Sequence, residues 1–340
     1  MTHTLRKVLV LVLFSALLAA VAVVSVVRAA DRAGEREEAR PGGPVAQSGV
    51  VDLEAPGRLL FRNLAWGPGR DTIASVPLAA PGGARTTAPQ DCLRFHAAAG
   101  TGVCLRRAGG VVPRYEALVL DRQLRPVRSF EVPGTPTRAR VSPSGRLLAW
   151  TVFVSGDSYA GGSFSTRTAV YDTRSGVLVP SLEEFAVSDG GRRVRAADHN
   201  FWGVTFAADD DRFYATLATG GRTHLVEGDL GARELRVLRE NAECPSLSPD
   251  GTRIAFKKRV DGLPADAPWR LYVLHLGTGA ETALAEERSV DDQALWYDGR
   301  TLLYALPGDF GGDLWSLPAG GGGSPQLLLK SAVSPAVMWS

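Results

Sequence analysis

A repeat constrains this chain more than any other feature. Val141-Ser-Pro-Ser-Gly-Arg-Leu-Leu-Ala-Trp150 matches Leu247-Ser-Pro-Asp-Gly-Thr-Arg-Ile-Ala-Phe256. Leu295-Trp-Tyr-Asp-Gly-Arg-Thr-Leu-Leu-Tyr304 is a third copy, and Thr205-Phe-Ala-Ala-Asp-Asp-Asp-Arg-Phe-Tyr214 is a fourth that lacks the glycine. A weaker fifth spans Leu93 to Leu105, with its turn at Gly100–Gly102. Each copy is a polar turn followed by a short apolar run of β-forming residues. After it come an apolar strand, a small polar turn and another apolar strand, as in Ala169 to Gly176, Leu271 to Gly279 and Asp313 to Gly320. Helical periodicity is nearly absent beyond residue 50. Short strands between turns, in units of about 40–50 residues, predict the four-stranded blades of a β-propeller. The 38 glycines among 340 residues suit a chain with that many turns.

The turns at Gly102, Gly145, Asp211, Gly251 and Gly299 define five units. A sixth is split between the two ends of the sequence. Pro335-Ala-Val-Met-Trp-Ser340 is the piece that precedes a turn, and residues 56–61, Pro-Gly-Arg-Leu-Leu-Phe, are the piece that follows one. The expected fold is therefore all-β, a six-bladed propeller over residues 50–340 whose C-terminal strand closes the first blade. Such closure removes exposed sheet edges.

Ser-Pro-Asp-Gly followed by Thr-Arg-Ile-Ala-Phe, then Leu-Tyr-Val-Leu, resembles the TolB-type (WD40-like) propeller repeat. The resemblance covers roughly residues 50–340 and is strongest over 247–276. It implies an exported six-bladed propeller that docks protein partners. TolB-type proteins also carry an N-terminal α/β domain, for which residues 31–49 are too short.

Arg6 and Lys7 precede an apolar run, Val8 to Val27, broken only by Ser15 and Ser25. At 1.5 Å per residue such a run reaches about 30 Å, one hydrocarbon core. Residues 1–30 read as an N-terminal transmembrane or signal helix: a membrane anchor through residues 8–27, or a signal peptide cut after Ala29. Residues 31–49 are charged, Pro/Gly-bearing and aperiodic, and read as a flexible tether. The rest is expected outside the cytoplasm, at the cell envelope or secreted.

Charge excludes one class of partner. Arg6, Lys7 and Arg28 are the basic residues of the leader, and without them 35 basic residues face 36 acidic ones. No basic field is available to recruit nucleic acid. The three cysteines lack the close spacing of a metal site, and nothing calls for a cofactor. Cys92 and Cys104 flank a turn-like stretch; in a hairpin their sulfurs would face each other, so an exported domain is expected to carry that disulfide. Cys244 is left to pack as a small hydrophobe.

In a propeller, the loops entering the innermost strands share a face with the loops between second and third strands. On that face the sequence places Asp198, His199, Asn200, Phe201 and Trp202 before blade four, and Glu243 before blade five. Asp291, Asp292 and Gln293 precede blade six, and Lys257, Lys258 and Arg259 with Asp157, Ser158 and Tyr159 fill the second loop type. Converging carboxylates, amides and an aromatic can bind a cation, sugar or peptide; Asp and Asn also serve turns with no ligand. Gly156-Asp-Ser-Tyr-Ala-Gly161 falls short of a nucleophile elbow, lacking the second glycine and the strand-turn-helix context. The seven tryptophans suit inter-blade packing. The leading expectation is a non-catalytic module that binds a protein or peptide at the envelope. The rivals are an enzyme using Glu243, Asp291, Asp292 and His199 on a sugar or lactone, and a small-ligand sensor.

Overall fold

The structure, a computed structural model, describes residue 7 and residues 12–16, 18–28, 46–110, 113–154 and 165–339. Residues 12–16 and 18–28 are helical and exposed. Among the described residues no helix is long and apolar enough to cross a membrane; residues 8–11 and 17 of the apolar run lie outside them.

The remainder is a six-bladed β-propeller. Blade 2 runs from its innermost strand outward as Arg94–Ala98, Thr101–Ala108, Arg114–Leu120 and Pro126–Val132. Blade 3 is Thr135–Val141, Leu147–Val154, Ser165–Asp172 and Leu178–Val179. Blade 4 is Asn200–Phe206, Arg212–Thr219, Arg222–Asp229 and Glu234–Glu240, extended outward by Ala186–Asp189 and Arg192–Val194. Blade 5 is Glu243–Leu247, Arg253–Arg259, Trp269–His275 and Glu281–Ala283, and blade 6 is Leu295–Trp296, Thr301–Leu306, Asp313–Pro318 and Gln326–Leu329.

Blade 1 is closed as the sequence predicts. Its innermost strand is Ala332–Met338, paired antiparallel with Arg58–Asn63; Thr72–Pro77 and Arg85–Asp91 follow. Ala46–Ser48, within the 31–49 segment, adds a parallel strand at the outer edge. Arg85, 1% exposed, bolts the closure. It donates to Asn63 Oδ1 at 2.6 Å, to Ser331 O at 2.9 Å and to Lys330 O, and stacks over Phe61.

The apolar runs are explained by two-sided burial. Along Leu147–Val154 successive side chains point to opposite faces. Leu147 and Ala149 pack with Phe201, Phe213 and Ala215 of blade 4. Leu148, Trp150 and Val152 pack with Val103, Leu105 and Val119 of blade 2. The core is a ring of such layers, one between each pair of neighbouring blades.

The repeated turns share one device. Ser142 and Ser248 each donate the backbone N–H across the turn, to Leu147 O and Arg253 O, and each hydroxyl accepts that residue's N–H in return at 3.0 Å. Gly145 takes the left-handed conformation, φ +77°, where a Cβ would meet Ala99 O at 2.9 Å. In the glycine-free copy Asp210 adopts it, φ 55°, and Asp209 Oδ1 accepts the Asp211 and Arg212 N–H groups. In blade 2 the turn is Ala99-Gly100, one step earlier than expected, with Gly102 already in the strand. The expected Cys92–Cys104 disulfide is formed, with a Cα–Cα distance of 5.5 Å.

Candidate functional site

The residues expected at one channel mouth fall into three groups. The first is an ion cluster on blade 5. Glu243 opens the innermost strand directly opposite Lys257, as a cross-strand pair. Both are 3% exposed. Lys257 Nζ lies 3.6 Å from Glu243 Oε2 and donates to Asp291 Oδ1, and it sits 4.1 Å from the Trp269 ring centroid. Trp269 Nε1 and Arg259 Nε donate to Glu243 Oε1 at 3.2 and 3.3 Å. Every charge in this cluster has a partner of opposite sign. Lys258 turns away from it, to Glu281.

The second group closes loops on blade 4. Asp198 accepts hydrogen bonds from the Thr219 hydroxyl and the Gly220 N–H, both at 2.7 Å. Those bonds hold its carboxyl below the usual carboxylate range. Asn200 Oδ1 accepts the Thr166 N–H at 2.7 Å, tying blade 4 to blade 3. His199 packs edge-on against Phe201 at 6.1 Å, and burial lowers its pKa. Trp202 is 9% exposed within the innermost strand. Asp157, Ser158, Tyr159 and the 156–161 segment lie outside the described residues.

The third group plugs the channel. The innermost strands of blades 4 and 5 each break register, between Trp202 and Thr205 and between Glu243 and Ser246. Gly203 and Cys244 there have positive φ, and a Cβ on Gly203 would meet Cys244 Cα at 2.8 Å. Bulged carbonyls need acceptable donors elsewhere. Gln293, 8% exposed, supplies them: its Nε2 donates to Gly203 O, Val204 O and Pro245 O at 3.2, 3.1 and 2.6 Å. Beside it, Arg94, Arg138, Arg140 and Asp292 line a remaining space of about 30 Å³. Among the described residues no group of three or more His, Cys, Asp or Glu side chains is placed to hold a metal ion.

A deep cavity opens on the other face. It is a funnel of about 610 Å³. The turns that follow the innermost strands form its rim, with Pro143, Asp209 and Asp250 among the lining residues. Phe206, Tyr214, Trp296, Tyr297 and Trp339 give it aromatic walls. Trp339 is 52% exposed, packs edge-on against Tyr297 at 5.0 Å and donates its Nε1 hydrogen to Tyr297 O. His96, Arg140 and Leu295 line both the funnel and the inner channel, so they form its floor. His96 and Arg140 are buried; burial, with the Arg140 charge beside it, holds the imidazole well below its usual pKa. Burial also brings the Arg140 guanidinium down to about 10, against the pull of Asp292. Sequence reasoning missed this site although its signal was in hand: the Ser-Pro-x-Gly turns that count the blades are its rim, and Trp296 and Trp339 are its walls.

The molecule is thus a six-bladed propeller with one mouth plugged and one open. Its fold is TolB-like. TolB from Acinetobacter baumannii superposes with a TM-score of 0.55 at 18% identity, over 82% of this chain and 66% of that one, just under two thirds of its length. A puromycin-hydrolysing peptidase from Mycobacterium tuberculosis matches at 15% identity and a TM-score of 0.48, over 84% of this chain and 45% of that one. A member of a nidogen/laminin complex matches at 12% identity and a TM-score of 0.49, over 77% of this chain and 89% of that one. No protein-family model and no curated protein sequence matches the protein.

Proposed function

We propose that this protein is a non-catalytic, extracytoplasmic propeller that binds a peptide segment of a protein partner in the funnel. The carrying observation is the funnel itself. Its volume of about 610 Å³ lies within the ~300–1,000 Å³ of ligand sites, and aromatic walls with a few convergent polar groups suit a peptide's mixed surface. The carboxylates of the opposite mouth are engaged by Lys257, Arg259 and Trp269, so they serve the fold there. Export is supported by Arg6-Lys7 ahead of the apolar run and by the Cys92–Cys104 bridge, a bond that persists in oxidising compartments. Residues 8–27, if retained, tether the propeller to the membrane.

The test is a displayed random-peptide library selected against the full-length protein, with binders re-measured on a variant whose funnel is filled, Leu247→Trp. Binders should lose at least tenfold in affinity on that variant. A library that yields none, or binders indifferent to the filling, would overturn the reading. Location is read separately: a membrane-impermeant protease added to intact cells should digest the propeller, and its survival there would place it inside.

A further inference from the structure

We propose that the funnel floor is a carboxylate-binding site made by Arg140 and His96, and that the segment entering the funnel presents a carboxylate to them. This rests on the peptide-binding reading above. Two donors face each other, with no acceptor between them among the described residues. His96 Nδ1 accepts the Val141 N–H at 3.1 Å, so Nδ1 carries no proton and the imidazole proton sits on Nε2. That Nε2–H lies 3.3 Å from Arg140 Nη1, itself a donor. Neither can satisfy the other. Arg140 Nη2 reaches Ala294 O at 3.3 Å, and Arg140 Nε is buried without an acceptor among the described residues.

The charge is as exposed energetically as the hydrogens are. Arg140 is 7% exposed. Among the described residues neither it nor Arg94 nor Arg138, which line the channel beside it, forms an ion pair within 4.0 Å. Lys257 is answered by Glu243 and Asp291, and Arg85, whose Nε also lacks an acceptor among the described residues, places its two Nη groups on three oxygens. A desolvated, unpaired guanidinium is costly unless an anion completes it. A carboxylate offers two oxygens, one for the Arg140 fork and one for His96 Nε2–H, and a guanidinium takes that geometry better than any other side chain. Its two sources are the C-terminus of a polypeptide and the side-chain carboxylate of an Asp or Glu.

The experiment is calorimetric titration of the full-length protein, at constant ionic strength, with four probes. They are N-acetyl-Ala-Ala-Phe with a free carboxylate, its C-terminal amide, the amide of N-acetyl-Ala-Glu-Phe, and propionate. At least one carboxylate peptide should bind tenfold or more tightly than the neutral amide. If the first does, the source is a C-terminus; if the third, a side chain. Arg140→Gln should erase the preference. Asp292→Asn, which keeps the cation and removes its opposing anion, should increase it severalfold, so the inference stays testable if the first variant fails to fold. Equal binding of carboxylate and amide forms, unmoved by Asp292→Asn, overturns the carboxylate site and leaves peptide binding standing. Propionate binding lost in Arg140→Gln, with no peptide bound, keeps the site and sinks the peptide reading. No heat from any probe overturns the site.

Discussion

The two mouths of the channel are built from the same innermost strands and do opposite things with charge. At the entry of those strands, Glu243, Lys257, Arg259 and Asp291 neutralise one another around Trp269, and Gln293 stops the bore with three hydrogen bonds to bulged carbonyls. At their exit, aromatic rings surround an open funnel whose floor carries a cation with no ion-pair partner among the described residues. A polar cluster that satisfies itself is structure, however much it looks like a site. The place to look for a ligand is where hydrogen-bonding capacity is left over.

That contrast can be broken most forcefully at Lys257. Lys257→Met leaves Glu243 buried with its cross-strand cation gone, and breaking a buried ion pair costs about 3 kcal/mol. Chemical denaturation should show this loss, with funnel binding of peptides retained by the protein that remains folded. A stability change near zero would mean the entry cluster is not a structural pair. Gln293→Leu comes next. It strands three buried carbonyl acceptors and should cost about 2 kcal/mol; a neutral result would show that water replaces the amide.

The fold was legible because blade architecture is written locally. Ser142, Ser248 and Asp298 mark equivalent turns, and strand spacing follows from them. The split blade could be completed because Pro335 to Trp339 had the form of a missing first strand. The site was less legible because polarity along a sequence does not say whether a group is already paired. Asp198 and Asn200 look like ligands until Thr219, Gly220 and Thr166 are seen to occupy them. Arg140 and His96 look like ordinary strand residues until the ring places them nose to nose across neighbouring blades. Their relation spans blades 2 and 3, beyond any local pattern. Gly102 misled for a smaller reason, since Ala99 takes a positive φ of 44° that glycine would ordinarily be given.

The funnel floor makes a graded prediction in pH. His96 is held neutral when folded, well below its usual pKa, and titrates normally when unfolded. Between the two values the unfolded state binds the extra proton. Stability is therefore full above about pH 6.5 and falls as pH drops below it, by up to about 1.4 kcal/mol per unit. Melting curves from pH 7.5 to 5 should show the decline, and His96→Asn should flatten it in that window. An equal slope in the variant would assign the decline to other groups. A ligand carboxylate on the floor should not abolish the slope, because Val141 still requires an unprotonated Nδ1.

The smallest effect on stability belongs to the funnel wall, and it sharpens the comparison most. Trp339 is half-exposed; among the described residues its ring contact and its hydrogen bond both go to Tyr297. An exposed edge-on aromatic pair and one solvent-facing hydrogen bond together contribute about 1 kcal/mol or less. Trp339→Ala should therefore shift the denaturation midpoint only slightly. The same change removes one of the aromatic walls, so peptides selected on the intact funnel should weaken several-fold. Lys257→Met has the reverse signature: a large loss of stability with the affinity of the folded fraction preserved. If Trp339→Ala instead proved strongly destabilising while peptide affinity held, the exit would be no less structural than the entry, and the distinction between the two mouths would fall.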